Sequence, residues 1–474
     1  MSVARLRMGL WVALVFIAAA QAGCGNSDAP AGADGTAANE PAAGGPPLLA
    51  IAAPKKAPPQ PAADEDDDDP DPDDEKDDAE DMESAAPPKK GTPEWLVHEA
   101  TRLRLEPPPK TEDVELLKKH RKDRNEKIIQ LSQKAIAEIH NDKEKERLFN
   151  AAVHNLMQAR LQLALSGDAE SIDLLYQDAS ALFKRNPKSQ AAAEGAYTVV
   201  NLAYGLAQNS TTDKLRWIKE FAVQSQRFAE DFRGDERRSL PMLFSAGRSC
   251  ELAGMTGDAL DCYMLIVKGF PGSAFGPQVT PILRRLKLPG HPAQLGGPTL
   301  DGDRLAVDDL LGKVVLVVFW STEAKPCLAQ LPKILSVTRT QTKRGLYVVG
   351  VNLDVDAAAV QQFVVKNKIR WPQIFYPETE KRGWNNPAVQ RYGIMDIPAL
   401  WLIDQSGNVI STSVKVEDLA AEVGKLLDDE SPAATDAAAA TKAQGTKPAE
   451  EQPRDTILER PHSRSTKKMG TTTR

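Results

Sequence analysis

Cys327 closes the stretch Ala324-Lys325-Pro326-Cys327, which follows an unbroken apolar run and a short polar turn. Two cysteines separated by two residues at the start of a helix exchange disulfides: the first thiolate attacks and the second releases the product. Here Ala324 holds the first place, and a methyl group cannot attack sulfur. The ordinary dithiol cycle is excluded, which leaves Cys327 the chemistry of a single thiol, or none. The positive end of a helix and the nearby Lys325 would favour the thiolate and lower its pKa below the ~8.5 of a free thiol. Against this, the second cysteine of such a turn sits under the first, poorly exposed, and no partner on the motif can resolve a mixed disulfide. Pairing with a cysteine elsewhere is the third reading. Cys250 and Cys262 flank one predicted turn between helices, so they are either a disulfide, given Cα atoms within about 7 Å, or two small core residues.

No other chemistry is visible. His98, His120, His140, His154, His291 and His462 form no metal spacing, and neither a phosphate loop nor a dinucleotide fingerprint occurs. No metal or cofactor is expected. The chain lacks basic and aromatic residues interleaved on one stretch, which argues against nucleic acid.

The elements that must position Cys327 are readable around it. Lys313 to Trp320 is a continuous apolar run, as in a central buried strand. Cys327 to Lys343 predicts a helix, Leu346 to Leu353 a second buried strand, and Asp356 to Lys366 another helix. Ala399 to Asp404 and Val409 to Val414 predict a hairpin, and Val416 to Leu427 a last helix. Strands alternating with helices over 290–429 predict an α/β sheet. Over 93–289 the apolar residues instead recur every three or four positions, as in Ile128, Leu131, Ala135 and Ile139. This predicts an all-α array of about eight helices. Breaks are expected at Ser166-Gly167-Asp168, Arg185-Asn186-Pro187, Gln208-Asn209-Ser210, Arg233-Gly234 and Thr256-Gly257-Asp258. Leu243, Gly247, Cys250, Gly254, Ala259, Tyr263 and Pro271 resemble one tetratricopeptide unit, although no 34-residue period is sustained. Such an array would offer a concave face to a peptide or protein, or serve only as a spacer.

With Gly297-Pro298-Thr299-Leu300-Asp301-Gly302, the run from Gly312 to Trp320, Pro332 early in the following helix, and Ile397-Pro398 before Leu402-Ile403-Asp404, the region 290–429 resembles the extracytoplasmic thioredoxin-like family of TlpA and ResA type (redoxins). The resemblance implies a thioredoxin fold, thiol-disulfide oxidoreductase ancestry, and a cis bond before Pro398 beside the active-site sulfur. It also implies a peptide-docking surface that includes Trp320, Glu323, Lys325, Ile397 and Pro398. The family's pattern Trp-Cys-x-Pro-Cys-x-x-Glu-x-Pro reads Glu323-Ala324-Lys325-Pro326-Cys327-Leu328-Ala329-Gln330-Leu331-Pro332 here. Glu323 replaces an aromatic, Ala324 the nucleophile, and Gln330 the acid near the thiols, while the structural positions on either side remain. The expected function is a redox-degenerate module that binds protein or peptide in the cell envelope; the alternative is a monothiol oxidoreductase acting through Cys327.

Both ends of the 474-residue chain differ from this middle. Arg5 and Arg7, an apolar run from Met8 to Ala20 and small residues up to Gly23 have the anatomy of an export signal, and the run is too short to span a bilayer of ~30 Å. Gln21-Ala22-Gly23-Cys24 resembles a bacterial lipobox, which would lipidate Cys24 and anchor the mature protein to a membrane. Ala20-Gln21-Ala22 fits an ordinary cleavage site, which would release a soluble exported protein. Residues 24–92 are rich in Ala, Pro and Asp, and 430–474 in Ala, Thr and Lys; both are expected to be disordered. Residues 64–83 carry a charge of −14 in a chain whose total is −7, so the rest carries about +7. The acidic balance therefore belongs to the tether, where self-repulsion keeps a spacer extended.

Overall fold

The computed structural model describes residues 88–428. The expected export signal, Cys24, most of the tether, the tail and His462 lie outside the described residues.

Among the described residues nine α-helices come first: α1 (Pro93–Leu105), α2 (Val114–Ile139), α3 (Glu146–Leu165), α4 (Ala169–Arg185), α5 (Gln190–Asn209), α6 (Lys214–Asp231), α7 (Glu236–Leu252), α8 (Thr256–Gly269) and α9 (Gly276–Leu286). Side chains mark several starts. Thr92 accepts from Trp95 N ahead of Pro93, and Asp113, Asp168 and Asp235 cap α2, α4 and α7 by accepting backbone N–H groups. Leu96, Ala100, Ile128, Leu131, Ala135, Ala152 and Ala159 bury one another where α1, α2 and α3 meet. One expected break moves. Thr256-Gly257-Asp258 is the first turn of α8, and the chain reverses at Ala253–Met255, where Gly254 takes φ +76°. The left-handed turn needs the glycine, whereas the threonine and aspartate suit the opening of the next helix. Across that turn Gly247 of α7 lies against Tyr263 of α8: a Cβ at Gly247 would come within 2.8 Å of the ring.

The chain forms two compact units, one ending at Val199 and the other starting at Val200, inside α5. The change of pattern near residue 290 therefore falls within the second unit.

The rest is a thioredoxin-like α/β domain. A short hairpin of β1 (Gly296–Pro298) and β2 (Arg304–Ala306) precedes β3 (Val314–Trp320), α10 (Lys325–Gln341), β4 (Leu346–Asn352), α11 (Ala357–Lys366), β5 (Gln373–Ile374), α12 (Pro387–Tyr392), β6 (Ala399–Ile403), β7 (Val409–Ser411) and α13 (Leu419–Asp428). The main sheet has the order β5-β4-β3-β6-β7, with β3 parallel to β4 and antiparallel to β6. All seven residues of β3 are buried because helices cover both faces. Their period of two sends Val315, Val317 and Phe319 into a core with Trp401 and Tyr392, and Val314, Leu316, Val318 and Trp320 into a core with α10 and α13.

The second unit joins these parts through a charged cluster. The guanidinium of Arg285 on α9 donates to Glu251 Oε1 at 2.8 Å and to the Tyr392 carbonyl at 3.1 Å. Arg248 on α7 donates to the same Glu251 oxygen at 2.9 Å and pairs with Asp396. At Gly393, φ is +57° and a Cβ would stand 2.8 Å from the backbone nitrogen of Ile282, so α9 approaches the end of α12 closely.

Candidate functional site

The site lies where β3 ends. A parallel sheet leaves room for a loop beyond the carboxyl ends of its strands, and here that loop is Ser321–Ala324. Its shape is fixed by Asp354, which follows β4 and is 5% exposed. The Asp354 carboxylate accepts from Ser321 Oγ at 2.5 Å, from Thr322 N at 2.9 Å and from Asn352 Nδ2 at 2.7 Å. Ser321 Oγ in turn accepts from Glu323 N at 3.1 Å. Sequence reasoning missed Asp354; the available signal was an acid two residues past the end of a buried strand parallel to β3.

Cys327 lies in the first turn of α10 and is 3% exposed, packed with Leu331, Val318, Trp320 and the half-buried Ala324. Burial pushes its thiol up to about 11; the Ser321 backbone pulls this partly back, and the Asp354 charge raises it further. The pKa therefore moves up, and not down as the helix end and Lys325 would have it. Lys325 is exposed, and removal of the sulfur from water is the largest influence on the thiol. The raised pKa keeps the thiol protonated at neutral pH, which leaves it a poor nucleophile.

Glu323 and Lys325 are exposed on either side of Ala324, and Gln330 is half-buried one turn after Cys327. The Ile397-Pro398 bond is cis. Ala399 pairs with Phe319 across the sheet, which sets Pro398 beside the end of β3. Ile397 and Pro398 are half-buried. Trp320, expected on the docking surface, is instead core: it is 3% exposed, its ring meets Phe363, and its Nε1 donates to Gln373 Oε1 at 2.9 Å. As the last residue of β3 it follows the strand's alternation into the α10 side. Two residues that the sequence did not flag are exposed nearby: Val355, next to Asp354, and Trp384, whose neighbour Gly383 approaches Val355.

Cys250 and Cys262 are far from this chemistry in role. The disulfide weighed between them is absent: both are free and fully buried in the helical interior. Burial raises their thiols to about 12 and about 11, and Gln226 Nε2 donates to the Cys262 sulfur at 3.2 Å. They act as small core residues, the other reading of their spacing.

The Thioredoxin-like family model matches residues 312–409, which hold the turn, Cys327 and the cis proline. The thiol-disulfide oxidoreductase ResA of Bacillus thuringiensis subsp. konkukian (strain 97-27) is 28% identical over 111 residues, 23% of this chain and 60% of that protein. This region is a thioredoxin-like domain related to the ResA thiol-disulfide oxidoreductases. The ResA of Halalkalibacterium halodurans is 26% identical over 133 residues, 28% of this chain and 72% of that one. Among solved structures, a thiol:disulfide interchange protein of the thioredoxin family from Chlorobium tepidum TLS is 29% identical, covering 29% of this chain and 95% of its own, with a TM-score of 0.25. The chain thus spans 60% of the length of the Bacillus relative, and the long helical region precedes the matched part.

Proposed function

We propose that this thioredoxin-like domain binds an extended protein or peptide segment and does not exchange disulfides. The observation that carries this reading is the pairing of Ala324 at the place of the attacking cysteine with a Cys327 that is 3% exposed and whose thiol is pushed up to about 11. A protonated, buried thiol neither attacks a disulfide nor leaves readily from one. The docking face is the rim that the lost chemistry leaves behind: Glu323 and Lys325 on the turn, the Ile397-Pro398 loop, and the exposed Val355 and Trp384. The protein acts in the cell envelope, reached through the N-terminal export signal and held to a membrane by a lipid on Cys24, with the acidic segment as tether. Mass measurement of the mature N-terminus checks that address: a diacylated Cys24 is expected, and an unmodified residue 23 at the start of a soluble protein would contradict it.

The binding claim is tested with labelled, cysteine-free peptides in extended form. The full chain and Cys327→Ala are expected to bind them equally, and Trp384→Ala to bind at least fivefold more weakly. The monothiol alternative requires the opposite: capture confined to cysteine-containing peptides, abolished by Cys327→Ala and reversed by dithiothreitol.

A further inference from the structure

We propose that the open cavity lined by α1, α3 and the first half of α5 binds a small molecule bearing an oxyanion, carboxylate or phosphate, together with a hydrogen-bond donor. The cavity measures about 420 Å³, and Thr101, Arg104, Arg147, Asn150, Asn155 and Glu194 are among its walls. That size falls in the ~300–1,000 Å³ span of small-molecule sites and is too small for a folded partner.

Two guanidinium groups face one space. Arg104 is half-buried, and its Nε donates to Asn155 Oδ1 at 2.9 Å. Asn155 is 1% exposed and is itself fixed by donating to Thr101 Oγ1 at 2.8 Å. A buried amide therefore sets the direction of the Arg104 fork while leaving its terminal nitrogens for another acceptor. Arg147, on the adjoining wall, is exposed. Among the described residues neither arginine has a carboxylate within ion-pairing distance; the Glu194 carboxylate accepts from His154 Nδ1 at 2.8 Å. Burial holds the Arg104 guanidinium below its ordinary pKa, with the Glu194 charge offsetting this in part. The two positive forks repel each other, Glu194 offsets only part of the charge at Arg104, and one oxyanion between them removes that repulsion through paired, charge-assisted bonds. Acceptors complete the lining: the Glu194 carboxylate on α5 is held by His154, and Asn150 Oδ1 on α3 lacks a donor among the described residues. A hydroxyl or ammonium on the same molecule meets that need.

The test is calorimetric titration of the full chain with inorganic phosphate, succinate and O-phosphoserine. Saturable 1:1 binding of at least one is expected, with phosphate against succinate deciding the source of the oxyanion. O-phosphoserine, which adds an ammonium, should bind at least fivefold more tightly than phosphate if phosphate binds. Arg147→Gln, at an exposed position that leaves the fold intact, should weaken binding at least tenfold, and Arg104→Gln should abolish it. Absence of binding by all three probes, or wild-type binding by Arg147→Gln, would overturn the proposal.

Discussion

At the scale of single residues, burial decides the chemistry of Cys327. Its thiol is raised from 9.0 to about 11, so the folded state favours the neutral form. The stability this contributes is complete below the unfolded pKa and is lost as pH rises from about 9 through about 11, the window set by those values. Thermal melts in that window should fall less steeply for Cys327→Ala than for the wild type; parallel curves would show a thiol already exposed. Asp354 makes a second prediction. Truncation to Ala leaves Ser321 Oγ, Thr322 N and Asn352 Nδ2 without their acceptor, and about 2–4 kcal/mol of stability should be lost in urea unfolding. The role of Cys327's spacing could be read in the sequence because the motif is local. Asp354 could not be, since its three partners meet only when β3 and β4 lie side by side, and an acid after a strand is by itself unremarked.

Elements were legible where their periodicity was strong. The β3 run, the helix opening beside Cys327 and the stripe through Ile128, Leu131 and Ala135 all form as their spacing predicts. The misses are short or depend on tertiary contacts. The hairpin of β1 and β2 spans three residues a side, and α12 spans six, too few for a period to show. Trp320 reads as a surface residue by its motif position, which says nothing of which face a strand's last side chain takes. The Arg248–Glu251–Arg285 cluster was invisible for a related reason, since the Tyr392 carbonyl that Arg285 engages lies 107 positions further along the chain. Glu251→Gln strips the shared counter-charge from two nearly buried guanidiniums, and about 3 kcal/mol or more should be lost. Because the cluster ties α7 and α9 to the Tyr392–Asp396 segment, the variant should also separate the unfolding of helices and sheet into two transitions. A single unshifted transition would show the cluster to be dispensable.

At the scale of the molecule, the helical region and the thioredoxin-like domain were separable in sequence by their change of period near residue 290. Their shared second unit was not, since helices α6–α9 carry their own amphipathic stripes and only the folded contacts assign them to the sheet. The chain thus joins a β5-β4-β3-β6-β7 sheet, a cis Ile397-Pro398 bond and a turn in which Ala324 stands three residues before Cys327. The direct measurement is catalytic turnover of insulin disulfides by the full chain with dithiothreitol as reductant, alongside Cys327→Ala. The expected rate equals that of dithiothreitol alone for both proteins. Multiple turnovers per molecule that vanish in Cys327→Ala would contradict the account.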